Sequence, residues 1–447
     1  MRIASWLRNV LYLAAAIVLA VPLLVRYLRT GKSIAAFREK LTGLVPAWPG
    51  GREETKPIWI HAVSVGEVLQ VAPLVEALRR RDPSVPIVIS STTATGLTLA
   101  RERFSGGSVG HCRIIAFPFD FSWAVANCLR RVNPRAIVLI ELELWPNLLA
   151  EAARWGIPVS IVSGRLSETS HRGYRRVSPL IRPMLRSVAS IATQTDAYRD
   201  RFIDLGARPA TTRTTGCLKH DSLSCPPARE ATIAMRVTLG ISPAEVVVVA
   251  GSTHDPEERL VLDAYLGLLA DGVAVRLILV PRHPERFEAV ADAVESTGLP
   301  LVRRSQSPHR GSAPIGPNAA TPVVLLDTVG ELSTCWHLAD VAFVGGSLTQ
   351  RGGQNMLEPA AAGAAVLFGP HVWNFARESR GLLDRGGATC VADGDSLREE
   401  LRQLATQPQR RAAMATAADR FVATLTGCAD DAAAELLPAE DEQRRAA

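Results

Sequence analysis

The sequence predicts an α/β protein made of two Rossmann-like halves facing a central cleft. Three observations carry this expectation. Short apolar runs alternate with amphipathic stretches through the first half of the chain. The alternation restarts after the Cys225-Pro226-Pro227 break. Gly-rich turns follow the apolar runs of the second half. Strand–helix alternation argues a parallel sheet with right-handed crossovers. Open sheets of this kind bind ligands beyond the C-terminal ends of their strands.

In the first half, Ile58–Val63 reads as a strand and Val68–Arg80 as a helix, with apolar Leu69, Ala72, Leu74, Val75 and Leu78. Ile87–Ser90 is a second strand and Thr95–Arg103 a second helix. Ala136–Ile140 is a strand, Asn147–Trp155 a helix and Val159–Val162 a strand. In the second half, Val246–Ala250, Ala274–Val280, Val323–Leu326, Val341–Val344 and Ala365–Phe368 read as strands. Glu257–Leu269 and Ser396–Thr406 read as helices. Ser305–Thr321 is polar and rich in Pro and Gly, as expected of a surface loop. Pro438–Ala447 is charged and predicts a disordered tail. The expected boundaries are 1–32 for a membrane anchor with its basic flank, 33–225 and 226–435 for the two halves, and 436–447 for the tail.

Length and composition exclude several classes. At 447 residues the chain is too long for one small binding module. A hydrophobic share of 47% with 21% charged residues is ordinary globular usage, which excludes disorder, collagen and coiled coil as whole-chain descriptions. The seven cysteines are dispersed and form no Cys-x-x-Cys pair, which argues against a disulfide framework or a structural zinc site. The net charge of +6 lies within residues 1–40, where Arg2, Arg8, Arg26, Arg29, Lys32, Arg38 and Lys40 face only Glu39. The rest of the chain is neutral, so no nucleic-acid-binding surface is expected.

Val10–Val25 is an uncharged run of sixteen residues with basic flanks on both sides. A full span needs about 20 apolar residues, with a lower limit near 17, so the run is short. The Arg26-Tyr-Leu-Arg-Thr-Gly-Lys32 flank is a poor cleavage site for a secretory signal. An uncleaved single anchor fits best, and the basic excess after it places the body on the cytoplasmic side.

No Walker loop and no G-x-G-x-x-G after a strand is present, which argues against a P-loop NTPase or a dinucleotide oxidoreductase. His61, His254, His283 and His371 lie in polar loops beside strands, and each taken alone is more readily structural than catalytic. His61–Glu67 (HAVSVGE) sits between a strand and a helix. Glu67 there is either a general base for an incoming hydroxyl or a carboxylate complementing the helix dipole. Glu141–Asn147 (ELELWPN) follows an apolar strand. Glu141 and Glu143 project to the same side if that strand continues, and Asn147 otherwise starts the next helix. In the second half Gly251–His254, Pro281–Glu285, Val329–Glu331, Gly345–Ser347 and Gln350–Glu358 all follow strands. Gly-rich turns at helix starts bind phosphate through backbone N–H groups, Arg282 adds charged donors, and Glu358 can accept from ribose hydroxyls.

HAVSVGE, TTATG, ELELWPN, GRLSETS, GCLKHD, GSTHDPEE, LVPRHPERF, DTVGEL, ADVAFVGGS and GGQNMLEPAAAGAAVLFGP occur in this order. Over roughly residues 35–425 the chain resembles the 3-deoxy-D-manno-octulosonic acid (Kdo) transferases, the glycosyltransferases of the lipopolysaccharide inner core. The resemblance implies a GT-B fold, CMP-Kdo as donor substrate and a lipid A precursor as acceptor. It also implies the cytoplasmic face of the inner membrane, inversion at the anomeric centre, and neither metal nor cofactor. Residue by residue, it implies Glu67 as catalytic base and Glu141 with Lys219 as the pair stabilising the transition state. It implies CMP contacts from Pro281, Arg282, Val329, Gly330, Glu331, Asn355, Met356, Leu357 and Glu358. The family commonly has His where Gln354 stands, Pro at Met356, Asn at Cys217 and Thr at Leu142. A GT-B enzyme using another nucleotide sugar is the alternative expectation.

Overall fold

The computed structural model describes residues 9, 10, 12, 36–47, 56–106, 112–224, 229–306 and 321–438. Most of the expected anchor, the Cys225-Pro226-Pro227 break, most of the expected surface loop and most of the expected tail lie outside the described residues. Among the described residues no helix is long and apolar enough to cross a membrane.

The chain divides into two compact units, Met1–Ser222 with Thr426–Ala447, and Leu223–Leu425. The first holds β1 (Ile58–His61), β2 (Ile87–Ser91), β3 (Arg113–Ala116), β4 (Ala136–Ile140), β5 (Val159–Gly164), β6 (Ser190–Thr193) and β7 (Thr212–Thr214). They form one parallel sheet in the order β3-β2-β1-β4-β5-β6-β7. Both faces are covered. Ile58, Ile60, Ile87, Ile89, Val138 and Ile140 enter one core, and Trp59, Val88, Ile137 and Leu139 enter the other. The central strands β1 and β4 therefore read as near-continuous apolar runs, because parallel sheets bury both faces.

The second unit holds β8 (Val246–Thr253), β9 (Val275–Pro281), β10 (Leu301–Arg303), β11 (Val323–Leu325), β12 (Val341–Val344), β13 (Ala365–Phe368) and β14 (Ala388–Cys390). They form a second parallel sheet in the order β10-β11-β9-β8-β12-β13-β14. Strand order reverses between β1 and β4 in the first sheet and between β8 and β12 in the second. These are the switch points where α/β sheets open a crevice at their C-terminal ends.

The sequence reading missed β3, β6, β7, β10 and β14, whose short runs (RIIA, SIAT, TRT, LVR and ATC) each carry polar or charged residues and so give no continuous apolar signal. It also assigned 426–435 to the second half. The structure returns this segment to the first unit, where the Cys428–Leu436 helix joins the core of the Val65–Arg81 helix. Asp221, from GCLKHD, fastens the return: its carboxylate accepts from Gly427 N and from Ala429 N, both at 2.6 Å. Such a carboxylate satisfies the orphan donors of a helix start.

Of the segment read as an anchor, Val10 and Tyr12 are described, together with Asn9 before it. Asn9 is buried: its Nδ2 donates to Ser122 Oγ at 2.7 Å, and its Oδ1 accepts from Ser122 N at 3.1 Å. Tyr12 OH donates to Asp120 Oδ2 at 3.1 Å.

Candidate active site

The Val65–Arg81 helix starts just beyond β1. Ser64 is its N-cap, and the Ser64 Oγ accepts from Glu67 N while donating to Glu67 Oε1 at 2.9 Å. Glu67 Oε2 accepts from Val63 N at 2.8 Å. Glu67 thus holds the helix start with both oxygens, a variant of the capping box. Burial pushes its carboxyl above the ordinary range, the Glu141 charge adds to this, and the hydrogen bonds from Val63 and Ser64 oppose it.

β4 ends at Ile140, and Glu141 turns out of it with φ 62°, the left-handed region that a residue with a Cβ rarely adopts. The premise that Glu141 and Glu143 project together from a continued strand therefore fails: the strand stops before both. The turn brings the Glu141 carboxylate to Gln70, whose Nε2 donates to Oε1 at 3.1 Å, and to Lys219, whose Nζ stands 3.8 Å away. Gln70 was missed from sequence. Its signal is a polar residue at a buried position of an otherwise apolar helix stripe.

Glu143 enters the same field by another route. Burial first, then the Glu67 charge, with a smaller part from Glu141, push its carboxyl up to about 7. Three carboxylates and one ammonium therefore converge beyond β1 and β4, at the first switch point. A carboxyl pushed up to about 7, as that of Glu143 is, suits proton transfer. His61 takes no part. It is fully buried, stacked on Phe117 at 3.6 Å and bonded through Nδ1 to Ser90 Oγ at 2.9 Å, and burial drives its imidazole down to about 3. Asn147 does not cap its helix either. The helix spans Pro146–Arg154, and Asp120 supplies the acceptor for Asn147 N at 2.9 Å and Leu148 N at 2.8 Å.

In the second unit, Pro281 closes β9 and Arg282 follows it, exposed, its backbone N donating to Thr253 O at 3.0 Å. Glu358 lies on the Leu357–Ala361 helix and accepts from Asn355 Nδ2 at 3.0 Å. Burial raises the Glu358 carboxyl, and Asn355, Trp336 and the Arg282 charge partly offset this. Arg282, Asn355 and Glu358 thus form one neighbourhood. Met356 and Leu357 point into the core, leaving only their backbone for a ligand. Val329 is 82% exposed, Gly330 has φ 91°, and Glu331 is engaged by Arg304 at 2.8 Å and by Thr328 Oγ1.

One expectation is corrected here. The Gly345–Ser347 turn does not offer free N–H groups for phosphate. Glu257, fully buried at the start of the Glu257–Ala270 helix, accepts from Gly346 N at 2.7 Å, Ser347 N at 3.0 Å and Leu348 N at 2.9 Å. It accepts from His254 N at 2.9 Å as well.

Residues 36–222 match the family model of 3-deoxy-D-manno-octulosonic-acid transferase (kdotransferase). A 3-deoxy-D-manno-octulosonic acid transferase of Bordetella pertussis is 36% identical over 376 residues, covering 83% of this chain and 84% of that one. This chain belongs to the Kdo transferase family. The Haemophilus influenzae Kdo transferase is 33% identical over 355 residues, with 79% of this chain and 80% of the other aligned. Kdo transferases are glycosyltransferases, and this chain is one. Its fold is similar to that of UDP-GlcNAc 2-epimerase from Neisseria meningitidis, with a TM-score of 0.52 at 12% identity over 83% of this chain and 99% of that chain. At that identity the likeness concerns the fold alone. Against the Kdo transferase family, the two clusters above are the positions where the sequence motifs HAVSVGE, ELELWPN and GCLKHD converge in one unit, and PRH and NMLE in the other.

Proposed function

We propose that this chain transfers Kdo from CMP-Kdo to a hydroxyl of a lipid A precursor, with inversion, at the cytoplasmic face of the inner membrane. The observation that carries the reading is the convergence of Glu67, Glu141 and Lys219 at the switch point of the first sheet. The acceptor oxygen attacks the anomeric carbon, the bond from that carbon to the CMP phosphate oxygen breaks, and CMP leaves with the bonding pair. Glu67 takes the acceptor's proton. Charge grows on the phosphate and the sugar becomes oxocarbenium-like. A carboxylate at Glu141 favours the cationic sugar, and Lys219 and Arg282 favour the anions. Arg282 is assigned to the phosphate. Glu358 is assigned to the ribose hydroxyls, with Asn355 orienting it. Pro281, Met356 and Leu357 contribute backbone, and Val329, Gly330 and Glu331 form the remaining side of the nucleotide site. The reaction is written without metal or cofactor.

A second reading of the base has its own support. Glu67 spends both oxygens on the helix start, whereas the Glu143 carboxyl titrates near 7. In that reading Glu143 accepts the proton and Glu67 shapes the loop. Mass spectrometry of a lipid A precursor incubated with CMP-Kdo and the full chain tests the function: a product heavier by one or more Kdo residues is expected. No product from CMP-Kdo, with product from another nucleotide sugar, would favour a different donor.

A further inference from the structure

The nucleotide contacts assigned so far leave a second cluster in the same unit unexplained. His254 follows β8 at the switch point of the second sheet, where β12 lies on the other side of β8. It is 9% exposed, and its Nε2 is buried with no hydrogen-bond partner. The Oγ1 of its neighbour Thr253, a fully buried residue, is also unpartnered. A buried polar atom left unmet is costly and calls for an explanation.

The surroundings are positive. Gly346, with φ 66°, lets the β12 turn pass close to His254: a Cβ there would stand 3.3 Å from His254 Cδ2 and 3.5 Å from both Arg351 Cβ and Gln354 Nε2. The His283 ring lies 5.3 Å away, edge to face. Arg282 and Arg351 are both exposed, and the charge of each reaches His254. Burial, then His283 and Arg351, with a lesser part from Arg282, hold the His254 imidazole below its ordinary range, against the opposing charge of Glu258. A neutral imidazole keeps one N–H to donate. The cluster is also rigid, because Glu257 binds His254 N and the Gly346–Leu348 turn with one carboxylate.

We propose that His254 is a donor-binding residue whose Nε2–H, flanked by Arg282 and Arg351, holds an oxyanion of the nucleotide sugar. This rests on the donor reading above and adds a contact to it. CMP-Kdo carries two such groups, the phosphate and the carboxylate on the anomeric carbon. Both have the oxygen acceptors that a ring N–H and two guanidinium forks recognise.

The test uses the full chain in detergent, labelled with ¹⁵N-histidine, with the His254 signals assigned by their loss in His254→Gln. CMP-Kdo should shift the His254 ring signals. A shift with CMP as well marks the phosphate, and a shift with CMP-Kdo but not CMP marks the carboxylate. In kinetics, His254→Ala should raise KM for CMP-Kdo by about tenfold, the size expected for one lost hydrogen bond. His254→Gln, which retains an N–H near the Nε2 position, should recover most of that loss. Ring signals unmoved by saturating CMP-Kdo overturn the proposal, as does a wild-type KM in a folded His254→Ala. If His254→Ala does not fold, the wild-type titration still decides. A wild-type chain that transfers no Kdo overturns the donor reading itself. A wild-type chain that transfers Kdo while His254 stays silent overturns this inference alone.

Discussion

Gln70 donates to the Glu141 carboxylate at 3.1 Å across 71 residues of chain. That bond ties the helix after β1 to the turn after β4, and it leaves the other Glu141 oxygen outside the pair. The left-handed backbone at Glu141 belongs to the same arrangement, since strained conformations persist where surrounding contacts hold them.

Glu67→Gln should separate chemistry from capping. The amide oxygen can still accept from Val63 N, so stability should change by less than about 1 kcal/mol. If Glu67 is the base, transfer should fall by about 10²–10⁴-fold. Turnover at the wild-type level, with melting measured beside it, would assign Glu67 to the helix start and move the base to Glu143.

Glu143 makes stability depend on pH. Its carboxyl titrates near 7 in the folded chain against an ordinary 4.5. Between those values the native state binds a proton that the unfolded state has lost, so stability falls as pH rises through this window. Solvent screening at this partly exposed carboxyl holds the difference to about 1–3 kcal/mol. Glu143→Gln should melt above the wild type at pH 8, and the gap should close towards pH 5. Parallel melting curves at both pH values would contradict this.

Arg282 and Glu358 should fail differently. Glu358→Gln should weaken CMP binding by about 1.5–3 kcal/mol if both charged hydrogen bonds to ribose are lost. Arg282→Ala should lower the transfer rate more than CMP affinity, because charge grows on the phosphate only as the donor bond breaks. Calorimetric titration of CMP, set beside steady-state rates, reads both. Unchanged CMP affinity in Glu358→Gln would place the ribose contacts elsewhere.

Glu257→Ala should destabilise the second unit severely. It strips the acceptor from four backbone donors, and each buried unmet group costs about 1–3 kcal/mol. Thermal melting should show a lowered transition or loss of folded protein. Wild-type melting would mean that water replaces the carboxylate.

Removal of Met1–Arg29 should release the chain from membranes, with residual binding from Lys32, Arg38 and Lys40 of about 1 kcal/mol per basic group, screened by salt. It also deletes the Asn9 and Tyr12 contacts to Ser122 and Asp120, so a modest drop in melting temperature is expected. Complete sedimentation of the truncated chain with membranes at high salt would refute the anchor.

The sequence by itself determined the class of fold and the family. Strands buried on both faces must be continuous apolar runs, so β4, β12 and β13 were legible to the residue. The motif order announced the family, whereas the helix after β1 starts at Val65 rather than at the Val68 read from its apolar residues, because the Ser64 cap adds the first turn. Tertiary structure alone decided which of those residues meet. The turn at Glu141, not a continued strand, aims that carboxylate at Gln70 and Lys219. Glu257 occupies the turn expected to take phosphate. The Cys428–Leu436 helix returns to the first unit because Asp221 caps it there. Each of these depends on a partner distant in sequence, and local propensity carries no information about such partners. The proton affinity of Glu143 is of the same kind, since it follows from burial and from two carboxylates contributed by other segments of the fold.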